Sequence, residues 1–172
     1  GKSDKSTVLN LTNHSYFNLK GHDSGDILDH KVRIHSKNIT ATDSESIPTG
    51  EIRSVIGTPM DFSKLKYIGL DIEKEYDQLI NGKGYDHNWI VDDYTGELKK
   101  VAEVVEEKSG RTLEVFTTKP GIQFYTGNFL NENEIGKGGV KYRSRQGLCL
   151  ETQYFPDSLN HKGFSNVILK AG

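Results

Sequence analysis

The sequence predicts an all-β protein, an antiparallel β-sandwich. Three observations carry this expectation. Lys31-Val32-Arg33-Ile34-His35 alternates polar and apolar residues with a period of two, as a strand with one buried face does. Two β-branched-rich runs, Val101 to Glu107 and Thr112 to Lys119, are joined by Lys108-Ser109-Gly110-Arg111. That is the pattern of a hairpin in which glycine supplies positive φ. Finally, the 18 glycines sit mostly between such runs, which fits many turns and few helices.

The remaining elements follow in chain order. Thr42 to Gly50 reads as a polar loop, with Pro48-Thr49-Gly50 as a turn. Ile68 to Ile80 is the best helix candidate, although Ile68, Leu70, Ile72, Tyr76, Leu79 and Ile80 match helical spacing only loosely. Gly84 to Val91 reads as a strand start, with Asp86 as a turn residue or with Asp86 and His87 adjacent on the strand. Gly121 to Gly127 and Gly147 to Tyr154 are further strands, and Asn166 to Lys170 is a short last one. A strand in that last position leaves an open edge unless another strand covers it. The sequence has no internal repeat and no linker. Its length, residues 1–172, reads as one domain or part of a larger one.

Bulk properties narrow the function. At 34% hydrophobic the chain is lean for a self-sufficient core. A net charge of −2 gives no electrostatic footprint for nucleic acid. No apolar run approaches the ~20 residues that span a bilayer, so no membrane partner is expected. The single Cys149 excludes an intramolecular disulfide and suits a reducing compartment, so a cytoplasmic location is expected.

Four segments hold side chains with chemistry. Glu151 sits in the apolar run Leu148-Cys149-Leu150-Glu151 and is followed by Thr152-Gln153-Tyr154-Phe155-Pro156. A carboxylate placed there either faces solvent or is kept as a general base, a task that suits partial burial and a raised pKa. Asn13-His14-Ser15-Tyr16-Phe17-Asn18 puts His14 in what reads as another strand. An imidazole titrates near neutrality, at ~6.5 when unperturbed, and so can give or take a proton. The mix of aromatic and amide groups around it suits the C–H faces and hydroxyls of carbohydrate. In Gly84-Tyr85-Asp86-His87-Asn88-Trp89, Asp86 and Asn88 can accept hydrogen bonds from hydroxyls. Asp86 and His87 point to opposite faces of a strand, and Trp89 either stacks on a ligand or fills core. In Gly121-Ile122-Gln123-Phe124-Tyr125, Gln123 and Tyr125 share a face that can line a polar pocket. Metal binding is not expected. The six histidines, at 14, 22, 30, 35, 87 and 161, show no ligand spacing, and there is one cysteine. No phosphate-cradling glycine motif or G-x-S-x-G elbow is present.

Six segments together resemble the aldose 1-epimerase, or galactose mutarotase, family. They are Leu11-Thr12-Asn13-His14-Ser15-Tyr16-Phe17-Asn18-Leu19, Ile47-Pro48-Thr49-Gly50-Glu51, Gly57-Thr58-Pro59-Met60-Asp61-Phe62, Gly84 to Trp89, Pro120 to Phe129, and Leu150 to Asp157. They occur in the family's order along nearly the whole chain. The resemblance implies a supersandwich of large twisted antiparallel sheets. It implies Glu151 as general base, His14 as general acid, Asp86 on the sugar hydroxyls and Gln123 as a further sugar contact. It also implies a free aldose as the small-molecule partner, interconversion of its anomers, and no cofactor. The family's domain is longer, and its N-terminal part carries an Arg and another His that no segment here matches. The sandwich is therefore expected to be incomplete at its N-terminus and extreme C-terminus. Three further readings stay open: the mutarotase part of a bifunctional nucleotide-sugar epimerase, a sugar-binding relative without activity, and a glycosidase using Asp86 and Glu151 as its carboxylate pair.

Overall fold

A computed structural model describes residues 1–133 and 135–172. The first half holds strands β1 (Thr7–Val8), β2 (Lys31–Ile34), β3 (Asn38–Thr42), β4 (Pro48–Ser54) and β5 (Lys66–Tyr67), then helix α1 (Asp77–Gly82). The second holds β6 (Asp86–Ile90), β7 (Lys99–Glu106), β8 (Arg111–Thr117), β9 (Gly121–Tyr125), β10 (Cys149–Gln153) and β11 (Ile168–Leu169). Among the described residues every strand pairing is antiparallel. One sheet runs β10-β9-β6-β3-β4, a second runs β5-β2-β7-β8, and β1 pairs with β11. The all-β expectation therefore holds. The open edge foreseen at the last strand is covered by β1, through Thr7 opposite Leu169 and Val8 opposite Ile168.

The period-two pattern explains the second sheet. Val32 and Ile34 of β2 are buried, while Lys31 and Arg33 turn outward toward Glu107 and Glu103. The β7–β8 hairpin closes at Gly110, whose φ of 71° is the left-handed value the turn requires. The Glu106 carboxylate accepts the backbone N–H groups of Lys108 (3.1 Å) and Ser109 (2.7 Å) and so fastens that turn.

Two expectations are corrected. The stretch Ile68 to Ile80 is mostly not helix: it holds a single 3₁₀ turn at Ile68–Leu70, and only Asp77–Gly82 forms α-helix. Its apolar residues do not share one face, since Ile68, Ile72 and Leu79 are buried while Leu70 and Ile80 are exposed. Likewise, Pro48-Thr49-Gly50 is not a turn but the start of edge strand β4. Proline is tolerated there because an edge strand has one side with no ladder bond to donate. A register shift between Thr40 and Thr42 marks the irregular pairing with β3.

Between the sheets lies one hydrophobic core. Val32, Ile34, Ala102 and Val104 come from one side, and Ile39, Trp89, Ile122, Phe124 and Leu150 from the other. Phe62 plugs the centre, edge-on to Tyr85 at 4.9 Å and to Phe124 at 5.4 Å. The buried polar tips are satisfied: Trp89 Nε1 donates to the Met60 carbonyl (3.3 Å) and the Tyr85 hydroxyl to that of Pro59 (3.0 Å). Phe62→Ala would leave a cavity against three rings. It is expected to cost about 3–5 kcal/mol, seen as a lower urea midpoint with an unchanged slope.

Candidate active site

The five-stranded sheet has two unlike faces. One carries Trp89, Phe124 and Leu150 into the core. Alternation places polar residues on the other. Register aligns Thr40, Asn88, Gln123 and Glu151 as one row across four strands, and Asp86, Tyr125 and Cys149 as the next. All of these but the fully buried Cys149 floor and wall a cleft of about 450 Å³, with His14, Gln153 and Pro156 at its sides. That volume falls in the ~300–1,000 Å³ range of small-molecule sites.

His14 reaches the cleft from outside any strand, which corrects the reading that placed it on one. Residues 10–17 run along the outer edge of β10, and side-chain amides there replace much of the backbone ladder. Asn10 exchanges hydrogen bonds with the Tyr154 backbone at 2.9 and 3.0 Å, and Asn13 Nδ2 donates to the Leu150 carbonyl at 3.4 Å. A reciprocal backbone pair between Phe17 and Leu148, at 2.8 and 2.9 Å, then anchors the segment. Asn18 also bonds backbone, at Gly25 and Gln146. These asparagines position the segment rather than offering their amides to the cleft.

Thus held, His14 Nδ1 lies 3.5 Å from Glu151 Oε1. Its ring stacks on Tyr16 at 5.2 Å and meets the edge of Tyr125 at 6.3 Å. The Glu151 side chain is 10% exposed and that of His14 56%. Burial raises the Glu151 carboxyl above its ordinary range; the His14 charge opposes this and the Asp86 charge adds to it. Burial likewise raises Asp86, against the hydrogen bond from Gln123 and the charge of His14.

The other two expected site residues are joined directly. Gln123 Nε2 donates to Asp86 Oδ1 at 2.8 Å. Gln153 Nε2 donates to Gln123 Oε1 at 3.1 Å and to Asn88 Oδ1 at 3.4 Å, which fixes which way the Gln123 amide points. Asn88 Nδ2 and Thr40 Oγ1 are buried without a partner among the described residues, so the cleft floor keeps hydrogen-bonding capacity in hand. Gly121 makes room for this network, because a Cβ there would collide with Asn88 Oδ1. All four sequence-selected residues, Glu151, His14, Asp86 and Gln123, therefore meet at one cleft.

Trp89 and His87 belong to the core side. Trp89 is fully buried among aromatic rings. His87 accepts the Asp86 N–H at Nδ1 and donates from Nε2 to Thr42 Oγ1, and burial pushes its pKa down to about 4. It is a neutral structural imidazole. Sequence reasoning missed Cys149 and Gln153. The available signal was alternation, because residues two before and two after Glu151 on a strand must share its face. Among the described residues, no helix is long and apolar enough to cross a membrane.

The family model for aldose 1-epimerase matches residues 1–172. A galactose mutarotase of Bos taurus is 44% identical over 171 residues, covering 99% of this chain and 48% of that protein. An aldose 1-epimerase of Escherichia coli (strain K12) is 40% identical over 159 residues, covering 92% of this chain and 45% of that protein. The crystal structure of an aldose epimerase homologue from C. elegans is similar at a TM-score of 0.85 and 28% identity, covering 99% of this chain and 50% of that one. The chain spans about half the length of the curated relatives it matches. With a family model matched from its first residue to its last, the chain belongs to the aldose 1-epimerase family.

Proposed function

We propose that this chain carries the acid–base site of an enzyme that interconverts the α and β anomers of free aldohexoses such as glucose and galactose. The observation that carries this reading is the His14–Glu151 pair, 3.5 Å apart at the wall of a polar cleft. Opening a cyclic hemiacetal requires two proton transfers at oxygens that share one carbon. Glu151 takes the proton of the C1 hydroxyl and His14 gives one to the ring oxygen. The bond from C1 to the ring oxygen breaks, and C1 becomes an aldehyde. Rotation about C1–C2 presents the other carbonyl face, the ring closes, and the two side chains exchange roles. Asp86, oriented by Gln123, accepts hydrogen bonds from sugar hydroxyls, and Gln123 is a further contact. Protons and electrons balance without a cofactor.

A single cysteine suits work in the cytoplasm, and anomer interconversion of glucose and galactose would serve hexose and galactose metabolism. The relatives named galactose mutarotase and aldose 1-epimerase support the same activity for this chain. The test is polarimetry of freshly dissolved α-D-galactose. The chain is expected to speed the approach to equilibrium rotation over buffer, with no release of reducing sugar from a glycoside. Glycoside hydrolysis would instead favour the carboxylate-pair reading.

A further inference from the structure

Three side chains that bind metals through different atoms meet beside the cleft. His14 Nδ1, Cys149 Sγ and a carboxylate oxygen of Glu151 all lie within 4.8 Å of one another. Cys149 and Glu151 share a strand face two residues apart, and the Phe17–Leu148 bridge delivers His14 from 135 residues away. Local spacing in the sequence could not reveal such a trio.

The geometry is specific. Sγ to Nδ1 is 3.4 Å and Nδ1 to Oε1 is 3.5 Å. A tetrahedral Zn²⁺ with bonds of about 2.3 Å to sulfur and about 2.0–2.1 Å to nitrogen and oxygen requires edges of about 3.5 Å between S and N, and about 3.3 Å between N and O. Two edges of the triangle thus already have the length a tetrahedral ion demands. The third edge, from Sγ to a Glu151 carboxylate oxygen, is no longer than 4.8 Å. Two of the three, His14 and Glu151, line the cleft, where Asp86 presents a second carboxylate.

We propose that His14, Cys149 and Glu151 form a binding site for a thiophilic divalent cation of the Zn²⁺ or Cd²⁺ class, and that this cation and the sugar exclude one another. Thiolate and imidazole select such ions over Mg²⁺ and Ca²⁺, which prefer oxygen ligands. Binding replaces the S–H proton of Cys149 by a sulfur–metal bond and releases that proton to solvent. The inhibitory half of the proposal rests on the acid–base reading, because an ion held by His14 and Glu151 occupies both proton carriers.

The experiment titrates the chain with Cd²⁺ and reads thiolate-to-metal charge-transfer absorption, for which Cys149 is the single possible source. The band is expected to saturate at one ion per chain, to vanish in a folded Cys149→Ser variant, and to need at least about tenfold more Cd²⁺ in His14→Asn and Glu151→Gln. Excess Mg²⁺ should not compete. Absence of the band, or a band equally strong in the His14 and Glu151 variants, overturns the site by reducing it to a bare thiol. Galactose is expected to raise the Cd²⁺ needed, and Cd²⁺ to slow anomer exchange in the wild-type chain but not in Cys149→Ser. A three-ligand band that galactose does not shift, in a chain without exchange activity, keeps the metal site and overturns the sugar reading. Exchange that is indifferent to Cd²⁺, with no band, does the reverse.

Discussion

Replacing Glu151 with Gln is expected to slow anomer exchange by about 10²–10⁴-fold while sugar affinity changes little. Gln keeps the shape of the side chain and its hydrogen-bonding reach, but at neutral pH it cannot take a proton. The loss should therefore fall on kcat rather than KM. Burial holds the Glu151 carboxyl above its ordinary range, so the acid limb of the wild-type pH–rate profile should lie above the ~4.3 of a free Glu side chain. Activity should fall as pH drops through that point, measured with a chelator present. Stability carries the opposite sign. Because the folded chain retains this proton at pH values where the unfolded chain has lost it, the contribution is fully present below the unfolded pKa. It is lost as pH rises through the folded pKa. At neutral pH the buried charge is a cost, and Glu151→Gln should melt at the same temperature as wild type or higher. A variant that is inactive and no less stable marks a residue held for chemistry. Near-normal exchange in the variant would remove Glu151 as the base.

Much of the sandwich was legible because its strands bury one face. Lys31–Ile34, the β7–β8 hairpin and β9 all announce themselves by period or by a glycine turn. β4 did not, because Pro48-Thr49-Gly50 obeys local turn chemistry while edge pairing with β3 overrides it. The stretch from Ile68 to Ile80 misled in the other direction. Its apolar residues follow no single face, and tertiary packing, not propensity, decides which are buried.

The site shows the same division. Glu151, Asp86 and Gln123 sit on strands, so alternation and register bring them to one face. His14 is placed by Asn10, Asn13 and the Phe17–Leu148 pair, contacts that reach across more than 130 residues and leave no periodic trace. Only the motif around it, matched to a family, tied it to Glu151 in advance. Cys149 was dismissed for the same reason. Metal-ligand spacing is a test for local loops, and this trio is assembled from an irregular segment and a strand.

The second large effect is expected from His14→Asn. Asn is polar and can still hydrogen-bond, but it cannot carry a proton to the ring oxygen, so exchange should fall by about 10²–10⁴-fold. More than half of the His14 side chain is exposed, and its neighbours are Tyr16, Tyr125, Glu151 and the buried Cys149, which lie at the cleft wall rather than in the centre of the core. Folding should be little affected, and a native melting curve alongside the lost activity separates chemistry from structure. The sharper test combines both changes. If Glu151 and His14 act on two oxygens of one carbon in a single ring opening, each is useless without the other. The Glu151→Gln, His14→Asn double variant should then be scarcely slower than the worse single variant, because residues that act as a unit lose their effect together. Rate losses that multiply would mean that the two side chains serve separate steps. The 3.5 Å between them would then reflect an ion pair of the folded cleft and not a shared proton path.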